Sequence, residues 1–363
     1  MKSWLIFSLL ILAFSSCAPA SGDSIQPCQG TLITGKYARG FQVWLCDDHT
    51  TVQVNFRTAS GDTTLQMELL KKPDEAWPCA TLSTTHLDFL EQLGLIDFVK
   101  ATGAAEYTHN ATARQKLMSG EMTDLSSSDS VDPEKLMTSG SKLYFSYPFA
   151  PDAGIIKKAP GVTSIPVAEY LESHPLARME WIRFFGAIMG RMSEADSIFQ
   201  EAERLYLSQA EYVRNHLADS SRKEVLAFSV YHDQWSLPPG NSFLAQLTFD
   251  AGGKYLLRDR HSSGNINPDK EELYLLMQKA EILLAIMPDG STSTAESLAG
   301  AYPEIRESKA WKTGRIYICD TKASDYFGKA ILEPHILLSD LMSAFHGYGE
   351  GSGMPVYFKP SAK

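Results

Sequence analysis

The stretch from Glu169 to His216 constrains the fold more than any other part of the chain. It reads EYLESHPLARMEWIRFFGAIMGRMSEADSIFQEAERLYLSQAEYVRNH. Trp181, Phe184, Phe185 and Ile188 recur at i, i+3, i+4 and i+7, which is one apolar face of a helix. The pattern then restarts. Ser193 is the expected N-cap, with Glu194 and Asp196 in the first turn, where the positive end of the helix dipole favours acids. Phe199, Tyr206, Ala210 and Val213 carry the apolar face onward. At about 1.5 Å per residue, Ser193 to His216 spans roughly 35 Å, a domain diameter. A helix of that length in mid-chain, with mixed helix and strand patterns on both sides, predicts a rigid strut between two lobes.

The 363 residues are enough for two lobes, each with its own core. A net charge of -10 argues against nucleic acid or an anionic membrane surface as partner. At the N-terminus, Lys2 precedes the apolar run Trp4 to Phe14, followed by Ser15, Ser16 and Cys17. A basic start, about ten apolar residues and small residues before a cysteine form a secretory signal of lipoprotein type. Residues 1–16 are the expected signal peptide, Cys17 the lipidation site and 17–30 the tether. Phe14 stands where an aliphatic residue is commoner, so an ordinary signal cleaved elsewhere is the alternative. The body is expected to be exported, tethered at one end and monomeric.

Cys28, Cys46, Cys79 and Cys319 remain. In an oxidising compartment they allow two disulfides with three pairings, or buried free thiols, and their spacings match no zinc pattern.

Residues 31–56 alternate as a hairpin does, with Asp47-Asp48-His49 as its turn. Gly30 to Tyr37 approaches a phosphate-binding loop, but Tyr37 replaces the Ser/Thr that would hold magnesium, and no strand precedes it. Strand-like runs at Ala80–Leu82, Phe98–Thr102 and Leu143–Tyr147 alternate with helices from Leu87, ending at Gly94, and from Pro133 behind an Asp132 cap. Beyond the strut come a strand at Glu224–Val230, a helix at Phe243–Phe249 capped by Ser242, and a helix at Pro268–Lys279. A strand at Ile282–Met287, a turn and strand at Trp311–Ile318 and a helix at Pro334–Phe345 complete the unit. Strands alternating with helices imply parallel sheets covered on both faces. The expected fold is α/β: two Rossmann-like lobes with parallel-rich sheets, joined by one long rigid helix, with a ligand cleft between them. The lobes are 31–167 and 219–350, the helical linker is 168–218, and 351–363 is a tail, with Gly347 to Gly353 flexible. With the strut as the one crossing, the second half is not expected to return to the first.

No H-E-x-x-H, G-x-S-x-G or strand-borne G-x-G-x-x-G occurs, so nothing points to an enzyme, a metal centre or a cofactor. Aromatic and polar residues instead gather at the carboxyl ends of strands, where open α/β sheets bind ligands. Thr85 and His86 follow the first strand of lobe one, and Tyr147 and Phe149 follow a later one. Tyr231, His232 and Trp235 follow the first strand of lobe two. Facing one another, they would line a cleft suited to a bulky, partly apolar ligand. The bland readings are a helix-start hydrogen bond for His86 and a plug at the lobe interface for Trp235.

Six segments in order complete the picture: Ser83 to Gly94, Asp132 to Leu136, His174 to Ile182, Gly240 to Gln246 with Asp250 to Tyr255, Trp311 to Tyr317, and Pro334 to Leu341. In sequence and spacing the chain resembles the substrate-binding lipoproteins of ABC importers for iron chelates and cobalamin, over about residues 35–359. That resemblance implies two lobes on one helix, a largely pre-formed cleft and one surface glutamate on each lobe that docks onto the permease. The matching positions are Glu134 in lobe one and Glu271 or Glu272 in lobe two, with Glu271 preferred. Glu281 supplies the acid that family members often carry before the strand at Ile282, whereas Ser324 to Pro334 matches loosely. The implied function is capture of an iron chelate, haem or siderophore, for ABC permease subunits, with Tyr147, His232 or His86 reaching the iron of a haem. A corrinoid carrier, in which Tyr231 and Trp235 stack on the ligand, is the alternative, and a chelatase on a related scaffold is a more remote one.

Overall fold

A computed structural model describes residues 28–361, apart from 59–60, 71–73, 128–130, 149–158, 232–233, 288–293 and 348–353. The signal segment, Cys17, Phe149 and His232 lie outside the described residues.

The chain opens with an antiparallel sheet in the order β1-β2-β3-β4: β1 (Thr31–Thr34), β2 (Phe41–Leu45), β3 (Thr50–Thr58) and β4 (Gly61–Leu69). The expected hairpin is β2 and β3, closed by the Cys46 N–H donating to the His49 carbonyl at 3.0 Å. Phe41, Val43, Val52 and Val54 point inward at period two and are buried. A Cys28–Cys46 disulfide ties the entering chain to β2, while Cys79 and Cys319 are buried free thiols. The open question about the cysteines thus resolves into one bridge and two thiols.

Lobe one is a five-stranded parallel sheet in the order β7-β6-β5-β8-β9. Its elements are β5 (Cys79–Thr81), α1 (Thr84–Gln92), β6 (Val99–Thr102), α2 (Ala111–Ser119), β7 (Thr123–Asp124), α3 (Pro133–Thr138), β8 (Leu143–Ser146) and β9 (Thr163–Pro166). Ser83 caps α1, and Asp132 caps α3 by accepting the Glu134 and Lys135 N–H groups, with Pro133 in the first turn.

The strut is two helices, α4 (Pro175–Met189) and α5 (Met192–His216). They meet at Gly190, whose φ of +68° and contact with the Asp74 backbone leave no room for a side chain. Ser193 is not the cap: α5 begins at Met192 behind Arg191, without a side-chain cap, because Gly190 and Arg191 turn the chain two residues earlier. The length of α5 is used in two halves. Ala195, Phe199 and Ala202 pack into the lobe-one core, and Tyr206, Ala210 and Val213 pack into the lobe-two core. Trp181, Phe184, Phe185 and Ile188 of α4 are fully buried in lobe one.

Lobe two comprises β10 (Lys223–Tyr231), β11 (Gln234–Ser236), α6 (Phe243–Asp250), β12 (Gly253–Tyr255), α7 (Lys270–Lys279) and β13 (Ile282–Met287). It continues with α8 (Ala295–Ala301), α9 (Lys309–Thr313), β14 (Ile316–Asp320), α10 (Lys329–Leu332), α11 (Pro334–His346) and β15 (Lys359–Pro360). The strands run β11-β10-β13-β14-β15, with β12 also on β10; β10, β12, β13 and β14 are parallel, and the edge strands β11 and β15 antiparallel.

Four expectations need correction. The helix expected from Pro268 begins at Lys270, because Asp269 caps it through the Glu272 N–H. Trp311 lies in the short helix α9, with the strand starting only at Ile316. The expected tail carries β15, and Asp340 of α11 holds it by accepting the Val356, Tyr357 and Phe358 N–H groups at 3.2, 2.6 and 3.1 Å. Finally, the second half does return to the first: Leu332 is buried in the lobe-one core, and the Phe327 carbonyl accepts from the hydroxyls of Thr84 and Thr85.

Candidate functional site

The residues expected at the strand ends of lobe one come together, but they face inward. The Thr85 hydroxyl donates to the Phe327 carbonyl at 2.6 Å, so Thr85 fastens the lobes together. His86, next along α1, is fully buried under the edges of Tyr147 and Phe185, with ring centroids at 5.7 and 5.8 Å. Its Nε2 lies 3.8 Å from Glu169 Oε2, and no hydrogen bond reaches either ring nitrogen. Tyr147, just past β8, meets Tyr170 edge-on at 5.1 Å. Burial, reinforced by the Glu169 charge, pushes the Tyr147 phenol up to about 12 and the Tyr170 phenol upward as well, so both stay protonated.

The lobe-two residues do not join them. Tyr231 is 61% exposed at the end of β10. Trp235 on β11 packs against Phe228 at 4.7 Å and Tyr302 at 4.9 Å, covering the lobe-two core. Neither the expected ring-lined cleft nor an interface plug describes Trp235.

A cavity of about 1190 Å3 opens instead where three parts of the chain meet. Arg39, Gly40, Asn55, Phe56 and Thr63–Thr64 come from the N-terminal sheet; Tyr170, Glu172, Ser173 and Arg178 come from the start of the strut; Asn241, Phe243 and His261–Asn265 come from lobe two. Of the seven expected ligand residues, the five that are described (Thr85, His86, Tyr147, Tyr231 and Trp235) do not line it. Tyr170 is the link: it lines the cavity and also touches Tyr147.

Two strut side chains build this wall. Glu172 Oε1 accepts the Arg39 and Gly40 N–H groups, both at 2.9 Å, and the Trp181 indole N–H at 3.3 Å. Burial raises the Glu172 carboxyl, and the backbone donors oppose that rise. Arg178 donates to the Glu172 and Tyr170 carbonyls at 2.9 and 2.7 Å, and its guanidinium lies 4.4 Å over the Phe243 ring. One side chain therefore fixes the lobe-one wall and packs on lobe two. Arg39 and His261 are exposed at the cavity, and their side chains make no ion pair or hydrogen bond among the described residues. The lining thus offers hydroxyls, amides, an imidazole, the Arg39 and Arg178 guanidinium groups and the Asp62 and Glu172 carboxyls to a polar guest.

Residues 168–178 were within reach of sequence reasoning. They follow β9, and Tyr170 obeys the same strand-end rule as Tyr147; the strand was missed because TSIP carries a proline and only four residues. Arg39 and His261 carried no such signal, being brought to the cavity by folding from 222 positions apart.

The other expected sites are placed plainly. Glu134, in the first turn of α3, is exposed. Glu271 is exposed in the first turn of α7, whereas Glu272 beside it is ion-paired with Arg260. Sulfur and nitrogen of Cys28, Cys46 and His49 cluster within 4.8 Å, but the two sulfurs are already bonded to each other. No helix among the described residues is long and apolar enough to cross a membrane.

Two α/β lobes, a helical connection packed into both cores and a cavity at their junction define a bilobal α/β fold. The chain matches in structure the periplasmic haem-, siderophore- and iron-binding proteins of ABC importers. A periplasmic haem-binding protein from Pseudomonas aeruginosa superposes with a TM-score of 0.63 at 13% identity, over 80% of this chain and 99% of that one. A catecholate-siderophore-binding protein from Vibrio cholerae gives 0.57 at 16% identity, over 80% and 99%. Haem-bound IsdE from S. aureus gives 0.59 at 12% identity, over 74% and 99%. In sequence, an uncharacterized lipoprotein of Methanocaldococcus jannaschii is 27% identical over 237 residues, 64% of this chain and 54% of that protein. A second from the same archaeon is 25% identical over 203 residues, 55% and 51%. The chain spans about half the length of the curated relatives it matches. No family model matches it.

Proposed function

We propose that the protein is the substrate-binding component of an ABC importer, exported, held to a membrane by lipid on Cys17, and that it captures an iron complex for delivery to the permease. The observation that carries this reading is the cavity of about 1190 Å3 at the lobe junction. Pockets for drug-sized ligands run to about 1,000 Å3, so this one suits a bulkier guest. Its polar lining, with hydroxyls, amides and charged groups of both signs, favours a hydrophilic siderophore complex over haem. The corrinoid alternative loses support because Trp235, its intended stacking partner, is engaged with Phe228 and Tyr302. The reading involves no turnover. Glu134 and Glu271 are the proposed docking acids; Glu271 is preferred to Glu272 because Arg260 already holds the latter.

The test is a titration of the delipidated protein with a ferric catecholate, a ferric hydroxamate, haemin and cyanocobalamin. Saturable one-to-one binding of a ferric siderophore, with the ligand recovered unchanged, is the expected result. Binding of none of the four would overturn the reading.

A further inference from the structure

Lobe two is fastened to lobe one along one edge by the loop between β14 and α10. Thr84 and Thr85 donate to the Phe327 carbonyl at 3.1 and 2.6 Å, and His109 Nε2 lies 3.2 Å from the Thr321 carbonyl. Between these contacts two acids from opposite lobes meet. Asp88 of α1 is 6% exposed, and Asp325 of the loop is half-buried. A methyl group placed on Gly328 would overlap Asp88 Oδ2 and Asp325 Oδ1 together, so the two oxygens flank one backbone hydrogen.

Among the described residues no ion pair reaches Asp88 or Asp325. Asp88 Oδ1 accepts from the Asn110 amide at 2.9 Å, and that same amide also serves Glu91, a third acid, one turn along α1. From α10, Lys329 pairs with Glu333 at 3.0 Å, and the Tyr357 phenol donates to Glu333 as well. No N–H or O–H from the other described residues reaches Asp88 Oδ2. A buried carboxyl beside a second, half-buried one and without a cation partner favours one shared proton over two adjacent charges.

We propose that Asp88 and Asp325 form a proton-held latch between the lobes, closed while one proton bridges the two carboxyls and released when both ionise. The proton is the missing donor to Asp88 Oδ2, and the Thr84, Thr85 and His109 contacts hold the two acids in register. Burial first, and the Asp325 charge second, push the Asp88 carboxyl up to about 8. The unfolded carboxyl titrates near 4. The latch therefore contributes fully below about pH 4 and is lost as pH rises through about 8.

The experiment places spin labels on cysteines at Lys135→Cys in lobe one and Lys279→Cys in lobe two, both exposed or half-exposed surface positions, and measures the interlobe distance distribution from pH 5 to pH 9. The expected result is one distribution at pH 5 that gains a longer component, at least tenfold in population, by pH 9. Asp88→Asn mimics the protonated acid and should keep the short distribution throughout. Asp325→Asn, which removes the partner charge, should do the same and covers the case in which the Asp88 variant fails to fold. An unchanged distribution in the wild type to pH 9, or the same pH response in both Asn variants, overturns the latch. The readout needs no ligand, so the latch and the proposed function fail separately.

Discussion

The sharpest expectation concerns Glu180, a fully buried acid on α4 that faces a segment almost 150 residues earlier. Its carboxylate accepts the successive N–H groups of Lys36, Tyr37 and Ala38 at 2.7, 2.8 and 2.9 Å, and Arg183 adds a fourth donor at 3.2 Å. Three consecutive backbone donors on one carboxylate fix the course of residues 36–40, and that course sets Arg39 and Gly40 in the cavity wall. Glu180→Gln keeps the shape and removes the charge. Lys36 and Arg183 share Oε1, while Tyr37 and Ala38 share Oε2. Whichever way the amide sits, two of the four donors therefore face an NH2 group.

Hydrogen bonds to a charged group contribute about 1.5–3 kcal/mol each, and stranding buried partners costs about 3–5 kcal/mol in total. The variant should lose about 3–5 kcal/mol in urea unfolding and roughly 10 °C in Tm. Ligand affinity should fall with it, because the cavity wall loosens. A loss below about 1 kcal/mol with affinity intact would refute the reasoning, since residues 36–40 would then be held by something other than Glu180.

Three further outcomes follow from the same geometry. Arg39→Ala should leave Tm within about 1 °C, because the side chain is exposed and unpaired, yet weaken a ferric siderophore titration about tenfold; unchanged affinity would remove Arg39 from the site. Trp235→Ala should cost about 3–5 kcal/mol by opening a cavity beside Phe228 and Tyr302, while the affinity of the folded fraction stays within about twofold; selective loss of binding would restore Trp235 to the cleft. The double variant Glu134→Arg, Glu271→Arg should bind ligand normally and fail to support uptake in cells, and unimpaired uptake would show that other groups dock.

The parts of the fold visible in the sequence are those fixed by local periodicity and capping. Ile282–Met287 is a strand with every residue buried, and six consecutive apolar residues could scarcely be anything else in an α/β chain. Asp132 and Ser242 cap the helices assigned to them because each acts within three residues of itself, whereas Ser83 starts its helix at Thr84, three residues before the expected Leu87. What stayed hidden is long-range. Asp340 turns a presumed tail into a sheet edge, and nothing within Met354 to Lys359 foretells that three of its N–H groups donate to that carboxylate. The described ligand candidates stand away from the cavity for a related reason. The strand-end rule locates a region, but the direction of each side chain depends on its partner: Thr85 turns to Phe327, His86 to Glu169 and Trp235 to Phe228. The strut was read correctly as a connection, though its mechanical role differs from that of a bare rod. Because α5 gives half its face to each core and the Thr84, Thr85 and Leu332 contacts close a second edge, the lobes are joined on two sides. Separating them must break the second edge, since bending α5 would disrupt both cores at once. Any pH- or ligand-dependent motion should therefore begin at the loop that carries Asp325 and Phe327, not at the helix.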